Sequence, residues 1–218
     1  QVKVAISLAL AIVLFPVVKV PSGGYPADTI SYGILVAREI LTGFAIGYIA
    51  GLFFTAVQLA GQLIDLQVGF GLVNILDPIG NRQVTVLGQL HYLLAMLLFL
   101  GMDGHHLLIT ALAQSYQLIP ISSFVFSQSL KAGLVRLLCD MASIGFRIAA
   151  PVTVTLFLTD VALGIVARTV PQMNVFIVGF PLKVGVGLLV LAASTPLFLG
   201  LLGGMFGRIG GSIIGILR

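Results

Sequence analysis

An all-α, membrane-associated polytopic fold is what this sequence predicts, on three observations. Charged residues make up 8% of the chain, against roughly 25% in an ordinary soluble domain. Hydrophobic residues make up 59%, and the mean hydropathy is +1.16. The apolar runs are also longer than strands and none alternates with a period of two, so each reads as helix. A length of 218 residues accommodates about half a dozen helices of roughly 20 to 30 residues, joined by short connections, with no room for a separate soluble domain. One domain over residues 1–218 is expected.

The elements follow in chain order. A first apolar run, Val4 to Val18, lies between Lys3 and Lys19, and the two prolines and two glycines of Pro21 to Ala27 end any helix there. The chain begins at Gln1 without the pattern of a cleaved signal, so further residues ahead of it are expected. Ile34 to Leu63 is the second run. A glycine-rich, polar interruption follows, Gly61 to Pro78, then Val84 to Met102 and a loop at Asp103 to His106. Leu107 to Ile119, closed by Pro120, falls short of the roughly 17 to 25 residues of a comfortable span and is expected to be re-entrant or interfacial. Leu130 to Arg168 is long and expected to break at Pro151. Phe176 to Leu202 runs on into a glycine-studded tail. Single basic residues flank both ends of several spans, which leaves the orientation open.

Several function classes are excluded by what the chain lacks. Its eleven Lys and Arg are scattered singly against seven Asp and Glu, with no basic run for nucleic acid. The lone Cys139 belongs to no internal disulfide, metal cluster or redox pair. There is no GxSxG elbow, HExxH or Walker lysine, and Gly69-Phe70-Gly71 is followed by Leu72 rather than an aspartate, so neither catalysis nor a cofactor is expected. His105 and His106 are adjacent at a helix start, without an HxxxH or Cys partner. A solvated turn and no metal site are expected there.

The chemistry concentrates in three other places. Irregular backbone at membrane depth is tolerated only when buried in protein or lining an aqueous passage, so the interruption before Pro78 points to a pore, a gate or a substrate site. Within it Gly69 and Gly71 flank Phe70, and Leu72, Val73, Ile75 and Leu76 form an apolar run that can plug a passage and still move aside. Asp77-Pro78-Ile79-Gly80 fits a type I turn. The series Gly43, Gly47, Gly51 and Gly203, Gly207, Gly211, Gly215 each line one helix face without side chains, for packing inside the chain or against another subunit. Glu39, Asp65, Arg136, Asp140, Arg147, Asp160, Arg168 and Lys183 stand in apolar runs and must face protein or water, as an ion relay, as structural pairs inside an assembly, or on helices that never cross lipid. Arg136 and Asp140, at i and i+4, can pair. Lys183 is expected to find its partner at a helix end or a subunit contact.

Gly61 to Pro78, Leu94 to Leu98 with Gly104-His105, and above all Pro171-Gln172-Met173-Asn174 running on to Gly179-Phe180-Pro181-Leu182-Lys183 resemble the flagellar biosynthesis protein FliR and its virulence-injectisome counterparts over nearly the whole chain. The resemblance implies a non-enzymatic subunit of the type III secretion export gate. It would assemble with FliP and FliQ and contact FlhB homologues in the bacterial inner membrane, at the flagellar basal body, where unfolded proteins are exported. It also implies helical hairpins in a multi-subunit spiral, with residues 1–150 like a FliP protomer and residues 151–218 like a FliQ hairpin turning near Pro171. Relatives hold a plug loop in the passage. That loop maps onto Gly69 to Pro78, and here Leu72 and Ile75 replace residues that are often aromatic. Pro171, Gln172, Asn174, Lys183 and the glycine faces are the expected packing and subunit-interface residues. The competing readings are an injectisome subunit, a structural scaffold, and a transporter coupling to protons through Asp65 or Asp77, although no second polar interruption supplies the inverted repeat of the last.

Overall fold

The computed structural model describes residues 1–18, 28–70, 85–118, 128–172 and 174–217. Among these the fold is all-α: α1 (Val2–Leu14) with a 3-10 turn (Phe15–Val17), α2 (Thr29–Val68), α3 (Val86–Gly101), α4 (Gly104–Leu118), α5 (Gln128–Thr169), α6 (Val175–Phe206) and α7 (Ile209–Leu217). Three stretches are long and apolar enough to cross a membrane: Thr29–Val68, Leu130–Thr169 and Ile177–Ile216. A fourth is added if Val86–Gly101 and Gly104–Gln117 form one broken span or a re-entrant pair.

Local chemistry sets the helix ends. Asp28 accepts the Ser31 amide at 3.2 Å, an N-terminal cap for α2. At the other end Gly69 takes φ +101° and donates its amide to the Asp65 carbonyl at 3.1 Å. A left-handed residue just past a helix is where glycine costs least. The polar interruption therefore begins at Gly69 and not at Gly61, because Gly61 to Val68 complete the last two turns of α2. The expected loop at Asp103 to His106 likewise contracts to Met102 and Asp103, and both histidines lie in the first turn of α4.

Pro151 does not break its helix. The 42 residues of α5 continue through it, as α6 continues through Pro181 and Pro196. A proline removes one helical donor and crowds the preceding turn, at a cost of about 3 kcal/mol. Around Pro151 the packing of Ala149, Val152 and Leu156, all buried, outweighs that cost. The adjoining threonines use their hydroxyls on the helix itself: Thr153 donates to the Ala149 carbonyl at 3.1 Å and Thr155 to the Pro151 carbonyl at 2.8 Å.

The chain divides into two compact units. One comprises Gln1–Leu52, Asp103–Leu138 and Gly207–Arg218. In it α4 and α7 pack along each other, with Ala111 against Gly210, and Ile209 and Ile213 are sealed from solvent. The other comprises Phe53–Met102 and Cys139–Phe206. Phe53, Val57, Ala60, Ile64 and Val68 recur at three- and four-residue spacing and make one buried face of α2. Beside it Phe54, Phe99 and Phe206 form an aromatic cluster with centroids 5.3 to 5.5 Å apart.

Glycines decide how closely helices cross. A Cβ at Gly61 would lie 2.2 Å from the Gly88 Cα, and one at Gly145 would lie 2.8 Å from the Ala56 carbonyl oxygen. At Gly43, Gly47 or Gly51 a Cβ would meet nothing within 4 Å, and the same holds at Gly211 and Gly215; at Gly203 it would graze the Met102 thioether at 4.0 Å. Gly207 is an exposed turn residue before α7.

Gly61→Ala sets a methyl against backbone that has no side chain to yield, so it lowers stability by about 1 to 3 kcal/mol. Gly43→Ala, with open space at the added methyl, leaves it within about 0.5 kcal/mol. Thermal unfolding of both variants in one detergent checks the contrast, and equal midpoints would contradict the close crossing.

Candidate functional site

The site is built where α2 ends and α3 begins. Asp65 lies in the last turn of α2 and is 3% exposed. Its Oδ1 accepts the Leu87 amide at 3.0 Å and its Oδ2 accepts the Gly88 amide at 3.1 Å. Those amides belong to the first turn of α3, where no helical acceptor exists and where the helix dipole favours an anion. The nearby Thr85 hydroxyl makes no cap of its own. Asp65 thus caps a helix other than the one that carries it, by two charge-assisted bonds worth about 1.5 to 3 kcal/mol each. The carboxylate reaches those amides because Gly61 and Gly88 let the two backbones come together.

This engagement bears on the proton-coupling alternative. Both Asp65 oxygens are committed to backbone donors, which gives the carboxyl a structural task. Asp77, the other carboxylate of that reading, lies outside the described residues, as do Gly71, Leu72, Val73, Ile75, Leu76, Pro78 and the expected turn after them. Gly69 and Phe70 are described. Phe70 meets Phe180 of α6 edge to face at 6.5 Å, and a Cβ on Gly69 would touch the same ring at 3.4 Å. The Asp65 bonds therefore tie the helix that leads into residues 71–84 to the helix that leads out of them.

Sequence reasoning passed over His91. It is buried one turn into α3, with Nδ1 2.7 Å from the Leu87 carbonyl oxygen and its ring edge to face with Phe198 at 5.0 Å. A carbonyl only accepts, so Nδ1 carries the proton. The available signal was its spacing, four residues after Leu87 at a helix start.

Lys183 is paired within the chain. Its Nζ lies 2.5 Å from Asp160 Oδ1, the side chains being 23% and 39% exposed. Asp160 lies within α5, the other arm of the hairpin, and not at a helix end, so an ammonium in apolar surroundings finds a carboxylate inside the chain. Arg136 and Asp140, in contrast, form no ion pair with each other, and both are exposed. An i, i+4 pair with the cation on the N-terminal side is the weaker orientation, worth a few tenths of a kcal/mol at best. Pro171 and Gln172 form the exposed turn between α5 and α6. Asn174 opens α6, its Oδ1 accepting the Ile177 amide at 3.3 Å. Met173 lies outside the described residues.

The histidines depart from expectation. Asp103 has φ +54°, the left-handed region that non-glycine residues seldom adopt, and its carbonyl accepts the His106 amide at 2.9 Å. The rings of His105 and His106 lie 4.2 Å apart, and Asp103 Oδ1 is 3.5 Å from His106 Nδ1. One donor atom from each of the three residues falls within 4.8 Å of the others. Adjacent side chains were expected to diverge; the turn at Asp103 brings its carboxylate back over the first turn of α4 and gathers them.

The Lys183–Asp160 pair carries its own test. Lys183→Met leaves Asp160 without its counter-charge and lowers thermal stability by about 1 kcal/mol or more, whereas adding Asp160→Leu recovers most of the loss. Melting curves of the single and double variants measure it, and a double variant no better than the single one would count against the pairing.

Comparison with known proteins places this geometry in context. Residues 1–209 match the family described as bacterial export proteins, family 1. The chain is 37% identical to the flagellar biosynthetic protein FliR of Bacillus subtilis over 194 residues, covering 87% of this chain and 73% of that protein. It is 32% identical to FliR of Escherichia coli over 202 residues, covering 90% and 75%. The Yop proteins translocation protein T of Yersinia pestis is 28% identical over 166 residues, covering 75% and 64%. With a match over nearly its whole length and an apolar all-helical fold, the chain belongs to family 1 of the bacterial export proteins.

Proposed function

We propose that this chain is a subunit of the type III protein export gate of the bacterial flagellum, set in the inner membrane at the basal body. It forms, with FliP and FliQ homologues and in contact with FlhB, the channel through which unfolded flagellar proteins cross. The observation that carries this reading is the clamp between α2 and α3, in a chain that belongs to an export family: a buried carboxylate ties together the two apolar helices that lead into and out of residues 71–84. In this reading Gly69 to Pro78 is the plug, and Leu72, Val73, Ile75 and Leu76 are its apolar seal.

Surface chemistry supports an assembled state. Ile177, Phe180, Leu182, Leu188 and Leu189 of α6 are all exposed, as are Phe44 and Tyr48 beside the open faces of Gly43 and Gly47 on α2. Apolar surface of this extent calls for lipid or for other subunits. Residues 1–150 then act as the FliP-like portion and residues 151–218 as the FliQ-like hairpin, with Pro171, Gln172, Asn174 and the glycine faces at subunit contacts. The flagellar assignment is favoured over the injectisome one by identities of 37% and 32% to FliR proteins, against 28% to the Yersinia protein.

Two measurements test the proposal. Tagged full-length chain, expressed with its FliP and FliQ homologues, should co-purify with both in a complex of fixed composition; a monodisperse, fully helical monomer recovered from those cells would contradict it. Deleting Leu72 to Ile75 removes the seal while keeping Asp77-Pro78, so cells with the assembled complex should leak ions. A transporter with its site there would lose uptake without leaking, and an intact barrier in a correctly assembled complex rules out the plug.

A further inference from the structure

We propose that Asp103, His105 and His106 form a binding site for a divalent transition metal of the zinc class. Three observations converge on it. One donor atom from each residue lies within 4.8 Å of the others, so the set is gathered without refolding. Second, His105 Nδ1 is buried and has no hydrogen-bond partner among the described residues, although the ring as a whole is only half-buried. A buried polar atom without a partner is destabilising, and a metal that takes up the nitrogen lone pair relieves it. Third, Asp103 is held at φ +54°, a conformation that strained functional positions share and that here turns the carboxylate toward the two rings.

The donor set selects the ion. Two imidazoles and one carboxylate suit zinc, cobalt, nickel or copper, whereas calcium and magnesium want oxygen alone. Zinc bonds of about 2.0 to 2.2 Å place tetrahedral ligands roughly 3.3 Å apart. Closing from 4.8 Å needs only rotamer changes, which the exposed Asp103 and His106 side chains are free to make. The N-terminus of α4 opposes a cation, and the Asp103 carboxylate offsets it. With three protein donors engaged, the fourth position is open to water or to a donor from another chain. The metal then links the left-handed residue before α4 to that helix's first turn.

The test uses full-length chain without a histidine tag, stripped with chelator in detergent and titrated with Zn2+ against a chromophoric competitor. About one Zn2+ per chain is expected, with affinity in the micromolar range. His105→Gln and His106→Gln should each weaken it at least about tenfold. Asp103→Gly accepts the positive φ and so keeps the turn, yet it removes one ligand and should weaken binding as well. That variant decides the matter if a histidine variant fails to fold. Co2+ in place of Zn2+ should give visible absorption bands that the variants lose. No zinc retained per chain overturns the proposal, and so does unchanged affinity in the His105→Gln/His106→Gln double variant or in Asp103→Gly.

Discussion

A charge or an unpaired amide in an apolar bundle has no water to turn to, and the structure is organised by how such groups are met inside the chain. Asp65 shows the logic at its fullest. A helix N-terminus supplies donors without acceptors, a buried carboxylate supplies acceptors without donors, and each relieves the other. Lys183 and Asp160 repeat it between the arms of the long hairpin, and the threonines near Pro151 repeat it within one helix. Where polar groups are met locally in this way, the helix surface around them can stay apolar.

Glycine plays two opposite parts in the same chain. At Gly61, Gly88 and Gly145 the missing side chain is consumed by a neighbouring backbone or side chain of the same unit. At Gly43, Gly47 and Gly211 it leaves open space. Spacing alone does not separate these roles: Gly43 and Gly47 of a regular series are open while Gly203 of another meets Met102, and among glycines that stand singly Gly61 is packed and Gly33 is open. In lipid, small residues mark where backbones can approach one another, and the open faces at Gly43, Gly47 and Gly211 have that character.

The helices were legible in the sequence because their apolar runs exceed what a strand or a soluble domain needs. The family resemblance was carried by the run from Pro171 to Lys183. The boundaries were less legible, for physical reasons. Gln62, Asp65 and Gln67 made the end of α2 look like loop, yet Asp65 is sequestered as a cap and the glutamines ride a continuing helix. Pro151 looked like a break because a proline's local cost is visible in sequence while the packing of Val152 and Leu156 against distant residues is not. Asp103 gave no sign of its left-handed backbone, which is commoner at glycine, so the gathering of His105 and His106 was hidden as well.

The cross-helix cap also separates two quantities that are usually coupled, the length of a connection and the placement of what it connects. Asp65 and the Gly61–Gly88 crossing hold α2 and α3 together through contacts within the two helices themselves. Doubling the length of a tethered stretch costs only about 0.6 kcal/mol in closure entropy. Residues 71–84 can thereby be lengthened, shortened or recomposed in sequence while the scaffold on either side stays as it is.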